Sequence, residues 1–330
     1  MRIERVRTRL LEFPLAAPFT PAWARGRTRT SITMTLVTVE TDAGITGISA
    51  TPAGAEAAVA VSRFVRPHWL GQDPTAIERL AGVVRAAAVY GCPCYFLEVA
   101  LWDIIGKAAE LPVYKLWGGF ADRVPAYCAT GEIRPAAQRA EDARMIVAQG
   151  FRGLKLRFHH DDPRDDLAVV EAVRRAVGDE TAIMVDANQA GVDPGFDGHR
   201  AWGFHTALAI GRELERLGVL WLEEPLPRHD LAGLARLRDR LERLKLAGGE
   251  DNHGLHEFSA LIERGCYDVL QPDALLSEGI FQLRKLAGMA EIAQVEIAPH
   301  TWGNGIGLLA NLHLAASAPN CAWIEYPNDP

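Results

Sequence analysis

The chain has 330 residues, of which 48% are hydrophobic and 23% charged, and its formal net charge is −7. That length suits one large barrel, or a barrel with a smaller companion, better than a single small core. The acidic balance excludes a general nucleic-acid surface, and no run of about 18 apolar residues offers a membrane span.

The opening MRIERVRTRLLEFPL is basic but lacks both a long apolar stretch and a small-residue cleavage site, so no signal peptide is expected. The cysteines, Cys92, Cys94, Cys128, Cys266 and Cys321, are odd in number and scattered. They read as reduced thiols of a cytoplasmic protein, and the GCPC run at Cys92 and Cys94 lacks the second pair that a zinc site would need.

RIERVRTRLLEFPL alternates as a strand does, and SITMTLVTVETDAGITGISA reads as two strands around the turn signal DAG. Between them lies FTPAWARGRTRT, a polar loop carrying Trp23, Arg25, Arg27 and Arg29. Helical periodicity then runs from about Gly54 to Glu110, with breaks near Pro67, Pro74 and Pro93. The apolar stretch around ALWDIIGKAAE ends at Leu111-Pro112, and a short helix and a Gly-Gly stop follow. Residues 1–122 are therefore expected to form an α+β unit.

From Arg123 the texture changes. VPAYCAT, GLKLR, AIMVDAN, VLWLEEP, KLAGGED, DVLQPD, VEIAPH and AWIEYP are short apolar runs, each ending in a polar residue and separated by helical segments. Their spacing of about 23 to 37 residues fits one helix and two loops per interval. Eight strands and seven intervals predict a (β/α)7β modified TIM barrel over residues 123–330, with the first 122 residues as its cap. An open doubly wound sheet would show a Gly-rich phosphate loop after its first strand, and none is present.

Residues at the C-terminal ends of barrel strands share one mouth. Asp186, Glu223 and Glu250 stand at the ends of successive strands. Converging carboxylates repel one another and are costly to desolvate without a cation, and an all-oxygen set favours Mg²⁺. Asp273 and His300 end two adjacent strands, where a carboxylate on one imidazole nitrogen would raise the basicity of the other. Lys155 and Arg157 face them from the second strand, with His159 and His160 just beyond, and Asn188 shares the side of Asp186.

In their order, LKLR, VDANQ, WLEEP, GGED, QPDA, APH and WIEY resemble the mandelate racemase and muconate-lactonising branch of the enolase superfamily over nearly the whole chain. The resemblance implies one Mg²⁺ per active site on Asp186, Glu223 and Glu250, and a catalytic dyad of Asp273 and His300. It implies that Glu325, in protonated form, hydrogen-bonds the substrate carboxylate, and that Lys155 lies close to that carboxylate. Trp23 and Arg25 would contact substrate from the cap, with Asn188 and His159 doing so from the barrel. The small-molecule partner would be a sugar acid, and the assembly a homo-oligomer, dimer or octamer.

Two departures stand out. Arg157 occupies the position where the racemases of this branch carry a lysine base, and arginine stays protonated. One clear base, His300, points to dehydration of an aldonate or aldarate to a 2-keto-3-deoxy acid. An epimerase or lactone cycloisomerase is the alternative, and a non-catalytic sugar-acid-binding barrel is the reading from another class. Chains of this family continue past the last strand and return to the cap, whereas this sequence stops at EYPNDP.

Overall fold

A computed structural model describes residues 1–24, 26–191 and 201–328. Strands β1 (Ile3–Phe19), β2 (Arg29–Thr41) and β3 (Thr46–Thr51) form an antiparallel sheet in the order β1-β2-β3. Strand β1 runs further than its sequence pattern suggested: Phe19 pairs with Arg29, so the polar loop is shorter than expected. The DAG signal makes the β2–β3 turn, where Gly44 takes φ +77° and donates its N–H to the Thr41 carbonyl at 3.0 Å.

Helices α1 (Ala55–Ala60), α2 (Arg66–Trp69), α3 (Ile77–Val89), α4 (Leu97–Ala109) and α5 (Val113–Leu116) follow, with a π-helical turn (Val61–Val65) between the first two. Helix α4 buries Leu97, Ala100, Leu101 and Ile104, the 3.6-residue stripe that its sequence announces. It lies so close to β3 that a Cβ at Gly47 would collide with the Ala100 carbonyl oxygen, which is why only glycine serves there. Val37, Val39, Trp69, Leu101 and Ile104 pack into one core, and Leu275 from the later part of the chain joins it.

The barrel strands are β4 (Ala126–Ala129), β5 (Gly153–Arg157), β6 (Ala182–Asp186), β7 (Trp221–Glu223), β8 (Lys245–Gly248), β9 (Val269–Leu270), β10 (Glu296–Ile297) and β11 (Ile324–Pro327). Between them run α6 (Ala136–Ala148), α7 (Pro163–Val177), α8 (Phe204–Arg216), α9 (Leu231–Arg238), α10 (Gly254–Glu263), α11 (Ile280–Ile292) and α12 (Gly305–Ser317). All eight strands are parallel neighbours in the order β10-β9-β8-β7-β6-β5-β4-β11, and a parallel bridge between Ile297 and Cys321 draws the two ends together. Every strand segment expected from the sequence is present, with seven helices between them among the described residues.

Side-chain alternation explains where the chemistry sits. Tyr127, Met184, Trp221, Ala247, Val269 and Ala298 pack inside the barrel as its floor. Leu154, Leu156, Ile183, Val185, Leu222 and Leu246 face the helices. Two residues above the floor, the same inward face carries Asp186 and Glu223. Register aligns them, since Arg157 pairs with Asp186 and Asp186 with Glu223.

Glu98 on α4 is buried at 1% exposure where the cap meets α11, and it accepts the Phe281 N–H at 3.2 Å. Burial pushes its carboxyl up to about 8, against the opposing pull of the Phe281 N–H and Arg85. A carboxyl raised above its unfolded value adds stability below pH ~4.3 that is lost as pH climbs through the folded value. Chemical unfolding should therefore show stability falling between about pH 4.3 and 8, by on the order of a few kcal/mol. Glu98→Gln should flatten that slope. An identical slope in the variant would assign the pH dependence elsewhere.

Candidate active site

The sequence places three carboxylates on neighbouring strand ends, and the fold converges them: ligand oxygens of Asp186, Glu223 and Glu250 lie within 4.8 Å of one another. Lys155, fully buried, braces the cluster. Its Nζ is 2.6 Å from Glu223 Oε1, 2.8 Å from Glu325 Oε1 and 3.6 Å from Asp186 Oδ2. Glu223 Oε2 also accepts from Gln271 Nε2 at 2.7 Å and Trp221 Nε1 at 3.3 Å.

These contacts divide the protonation states. Burial raises the Glu223 carboxyl to about 8, with Asp186 adding to the push and Lys155 opposing it. Glu250 is raised as well, chiefly by burial. Asp186 goes the other way: burial works against its charge, but Arg157 and Lys155 hold it below the usual range. Burial likewise opposes the Lys155 ammonium, and Glu223 and Glu325 overcome it, so the charge is retained. Carboxylates this crowded hold protons in the absence of another cation. Glu250 Oε2 is buried and accepts no hydrogen bond. Its nearest cationic neighbour is His300 Nε2, at 3.5 Å. Three convergent oxygens with one left unpaired fit a hard divalent cation.

The expected dyad forms. His300 Nδ1 lies 3.0 Å from Asp273 Oδ2, and both residues are buried. Burial alone would depress the imidazolium, but Glu250, the Asp273 hydrogen bond and Glu325 reverse the effect and raise it to about 10. Asp273 is tied down by its own loop, where Oδ1 accepts the Leu275 N–H at 2.7 Å and the Ser277 hydroxyl receives the Asp273 N–H at 3.0 Å.

Glu325 differs from its expected protonated form. Burial favours the neutral acid, yet Lys155, His300 and Arg157 hold it as a carboxylate. Its Oε2 accepts the Thr301 N–H at 3.0 Å, anchoring the residue after His300.

Arg157 is engaged on every side. Its Nη1 donates to Asp186 Oδ2 and, at 3.1 Å, to Asn188 Oδ1, while Nε donates to the Thr130 carbonyl at 2.9 Å. The Trp23 ring lies 4.7 Å from its Cζ and the Trp302 ring 5.5 Å. His159 Nε2 meets Asn188 Oδ1 at 2.9 Å, so Asn188, at φ +45°, joins the histidine to the cluster. His160 turns away from the mouth: its Nδ1 lies 2.6 Å from Asp166 Oδ1 on α7. Arg27 and Arg29 are exposed, and Arg25 lies outside the described residues.

Three contributors were not singled out from the sequence. Asn311 on α12 is fully buried and links both dyad loops: its Oδ1 accepts the Ala274 N–H at 2.9 Å, and its Nδ2 donates to the His300 carbonyl at 2.8 Å. A lone amide within GIGLLANLHLAAS was the available signal, since a buried amide demands partners. Glu224, at φ +48°, is raised well above the carboxylate range by burial and Glu250, and it groups with Glu250 and Asp251. Trp302 stands two residues past the dyad histidine, where an aromatic after APH reads equally well as packing.

An α+β cap on a parallel barrel, with convergent carboxylates, a buried lysine and a hydrogen-bonded His–Asp pair at the strand ends, defines a barrel class whose functional groups gather at the C-terminal mouth. The chain belongs to the enolase superfamily: residues 6–118 match the mandelate racemase / muconate lactonizing enzyme N-terminal domain, and residues 138–330 match the enolase C-terminal domain-like family. It is 30% identical to the L-talarate/galactarate dehydratase of Salmonella typhimurium over 98% of this chain and 81% of that one. It is 31% identical to the D-galactarolactone cycloisomerase of Agrobacterium fabrum over 97% of this chain and 84% of that one. Among solved structures it resembles a racemase from Streptomyces coelicolor with bound magnesium, with a TM-score of 0.86 and 29% identity, covering 98% of this chain and 89% of that one. No helix among the described residues is long and apolar enough to cross a membrane.

Proposed function

We propose that the chain dehydrates an acid sugar, an aldonate or aldarate, to a 2-keto-3-deoxy acid, with residues 123–330 as the catalytic barrel and 1–122 as its cap. The observation that carries this reading is one base facing a fixed arginine. His300 and Asp273 form a buried pair at 3.0 Å, while the Arg157 guanidinium is held by Asp186.

Asp186, Glu223 and Glu250 would hold one Mg²⁺, which when bound supplies positive charge where the substrate carboxylate becomes an enediolate. His300, in its neutral form, removes the proton from the carbon next to that carboxylate, and Asp273 orients the ring and stabilises the imidazolium. The same imidazolium returns its proton to the departing β-hydroxyl, so water leaves and an enol remains, which tautomerises to the 2-keto acid by taking a proton on the former β-carbon and losing its hydroxyl proton. Lys155 donates to the carboxylate oxygens as charge accumulates, and Glu325 holds Lys155 and the Thr301 amide in place. Arg157 stays protonated and shapes the opposite face rather than accepting a proton. Trp23, Asn188 and His159 are the proposed substrate contacts, with Arg25 as a further one.

The cycloisomerase relative supports a second reading, isomerisation through the same intermediate. Proton NMR in D₂O over a panel of aldonates, aldarates and their lactones, with Mg²⁺, separates the two. The expected result is a 2-keto product that vanishes on chelation and returns with Mg²⁺. Deuterium incorporation without a keto product would favour the isomerase. Turnover that survives exhaustive chelation would remove the metal from the mechanism.

A further inference from the structure

We infer that Trp302, together with Trp23, is a positioning residue: the two indoles hold the Arg157 guanidinium against Asp186 and thereby weaken the grip of the carboxylate cluster on a divalent cation. The inference rests on the reading of Asp186, Glu223 and Glu250 as the metal centre.

The guanidinium and the proposed cation share one carboxylate. Arg157 Nη1 donates to Asp186 Oδ2, an oxygen that also receives Asn188 Nδ2 at 3.1 Å and stands 3.6 Å from Lys155 Nζ. A dication arriving at Asp186 meets a monocation that already occupies part of its lone-pair space. In a buried site, two like charges a few ångströms apart repel strongly. An arginine free to move would relieve that repulsion by swinging towards solvent.

This arginine is braced against such movement. The indoles of Trp23 and Trp302 contact each other edge to face, with centroids 4.9 Å apart at 86°. Phe19 stacks on Trp302 at 6.3 Å and meets Trp23 edge-on at 6.2 Å. Both faces offered to the guanidinium are thus fixed from behind. Gly131 makes room for this stack: a Cβ there would lie 2.7 Å from Phe19 Cζ and 3.0 Å from the Trp302 ring.

The cap side of the brace is pinned to the barrel independently. The Ala22 N–H donates to the Gly131 carbonyl at 2.8 Å, and the Thr20 N–H to Glu132 Oε1 at 3.0 Å. Trp302 comes from the loop after β10 and Trp23 from the cap. The seating of the cap loop and the affinity of the carboxylates for a cation are therefore coupled through one guanidinium, and ions bound at one end must be felt at the other.

The test is Mn²⁺ titration of the full chain, followed by the electron paramagnetic resonance signal of the free ion. Trp302→Leu keeps an apolar side chain but removes the π face, and should tighten Mn²⁺ binding roughly three- to tenfold, the size expected from losing one cation–π contact. Trp302→Phe, which keeps a π face, should stay close to wild type. Arg157→Met should tighten binding by about tenfold or more through the loss of a like charge. In the Arg157→Met background, Trp302→Leu should add nothing, because its route is gone. Trp23→Leu, approaching the guanidinium from the cap, should shift affinity in the same direction and serves if Trp302→Leu does not fold.

Unchanged or weaker affinity in folded Trp302→Leu or Trp23→Leu overturns the inference while leaving the metal centre standing. So does an effect of Trp302→Leu that persists without Arg157. A wild-type chain that takes up no Mn²⁺ overturns the metal-centre reading, and the inference with it.

Discussion

Replacing His300 with asparagine should lower turnover of the acid-sugar substrate by roughly 10²–10⁴-fold, the usual worth of a positioned general base. His300 is the imidazole paired with a buried carboxylate at the barrel mouth, and its Nε2 faces the carboxylate cluster 3.5 Å from Glu250. Asparagine keeps polarity and approximate size, and the Asp273 loop retains its own hydrogen bonds to Leu275 and Ser277. The variant should therefore fold and still bind Mn²⁺. Steady-state turnover and exchange of the α-proton with D₂O should fall together, because one group serves both steps. Exchange that continues at the wild-type rate while product formation stops would assign proton removal to another residue and leave His300 only the leaving group. Turnover within tenfold of wild type would remove it from the mechanism.

Lys155→Met should have the largest structural consequence. The ammonium is fully buried and is the contact common to Glu223, Glu325 and Asp186, at 2.6, 2.8 and 3.6 Å. Methionine matches its length without its charge, leaving the buried carboxylates to face one another without the ammonium between them. Breaking a buried ion pair from one side costs about 3–5 kcal/mol, so urea unfolding of the metal-free variant should show a loss of that order. Mg²⁺ should restore part of it, since a cation that binds only the folded state stabilises it by mass action. Turnover should fall roughly 10²–10³-fold even at saturating Mg²⁺, through loss of a donor aimed at developing charge. A variant as stable as wild type without metal would mean that Glu325 is protonated along with Glu223, and that the ion pairs contribute little.

The two substitutions also separate two kinds of buried charge. His300 is held by a partner that orients it for proton transfer, whereas Lys155 is held by groups that need it to stay ionised. Their pKa directions express this difference. Burial opposes both cations, but Lys155 is kept charged by several carboxylates, and His300 is raised to about 10 mainly by Glu250. A cation taken up by Glu250 would remove that contribution and return the imidazole towards its ordinary range, where a neutral base is available.

Much of the architecture was legible because its signals are local and repeated. Each barrel strand is a short apolar run closed by a polar residue, and one helix fits each interval, so the strand segments could be read one at a time. Asp186, Glu223, Glu250, Asp273 and His300 were legible for the same reason: barrel topology turns a position at a strand end into a position at the mouth. The protonation of Glu325 was not. Its sequence context, WIEY, says that it reaches the mouth, but its charge depends on Lys155, His300 and Arg157, which lie on other strands or beyond their ends. His160 shows the same limit. Its neighbour His159 meets Asn188, while His160 turns towards Asp166 on α7, and nothing in the dipeptide distinguishes them.

The sequence by itself determined the barrel, its cap and the set of groups available at the strand ends, because periodicity and strand-end position are properties of a few consecutive residues. Only the tertiary structure decided how those groups are paired: Arg157 with Asp186 and two indoles, Asn311 with both dyad loops, Glu98 with the start of α11. Each of these contacts joins residues far apart in the chain. Their geometry follows from strand register and the close approach of cap and barrel, which no local pattern encodes.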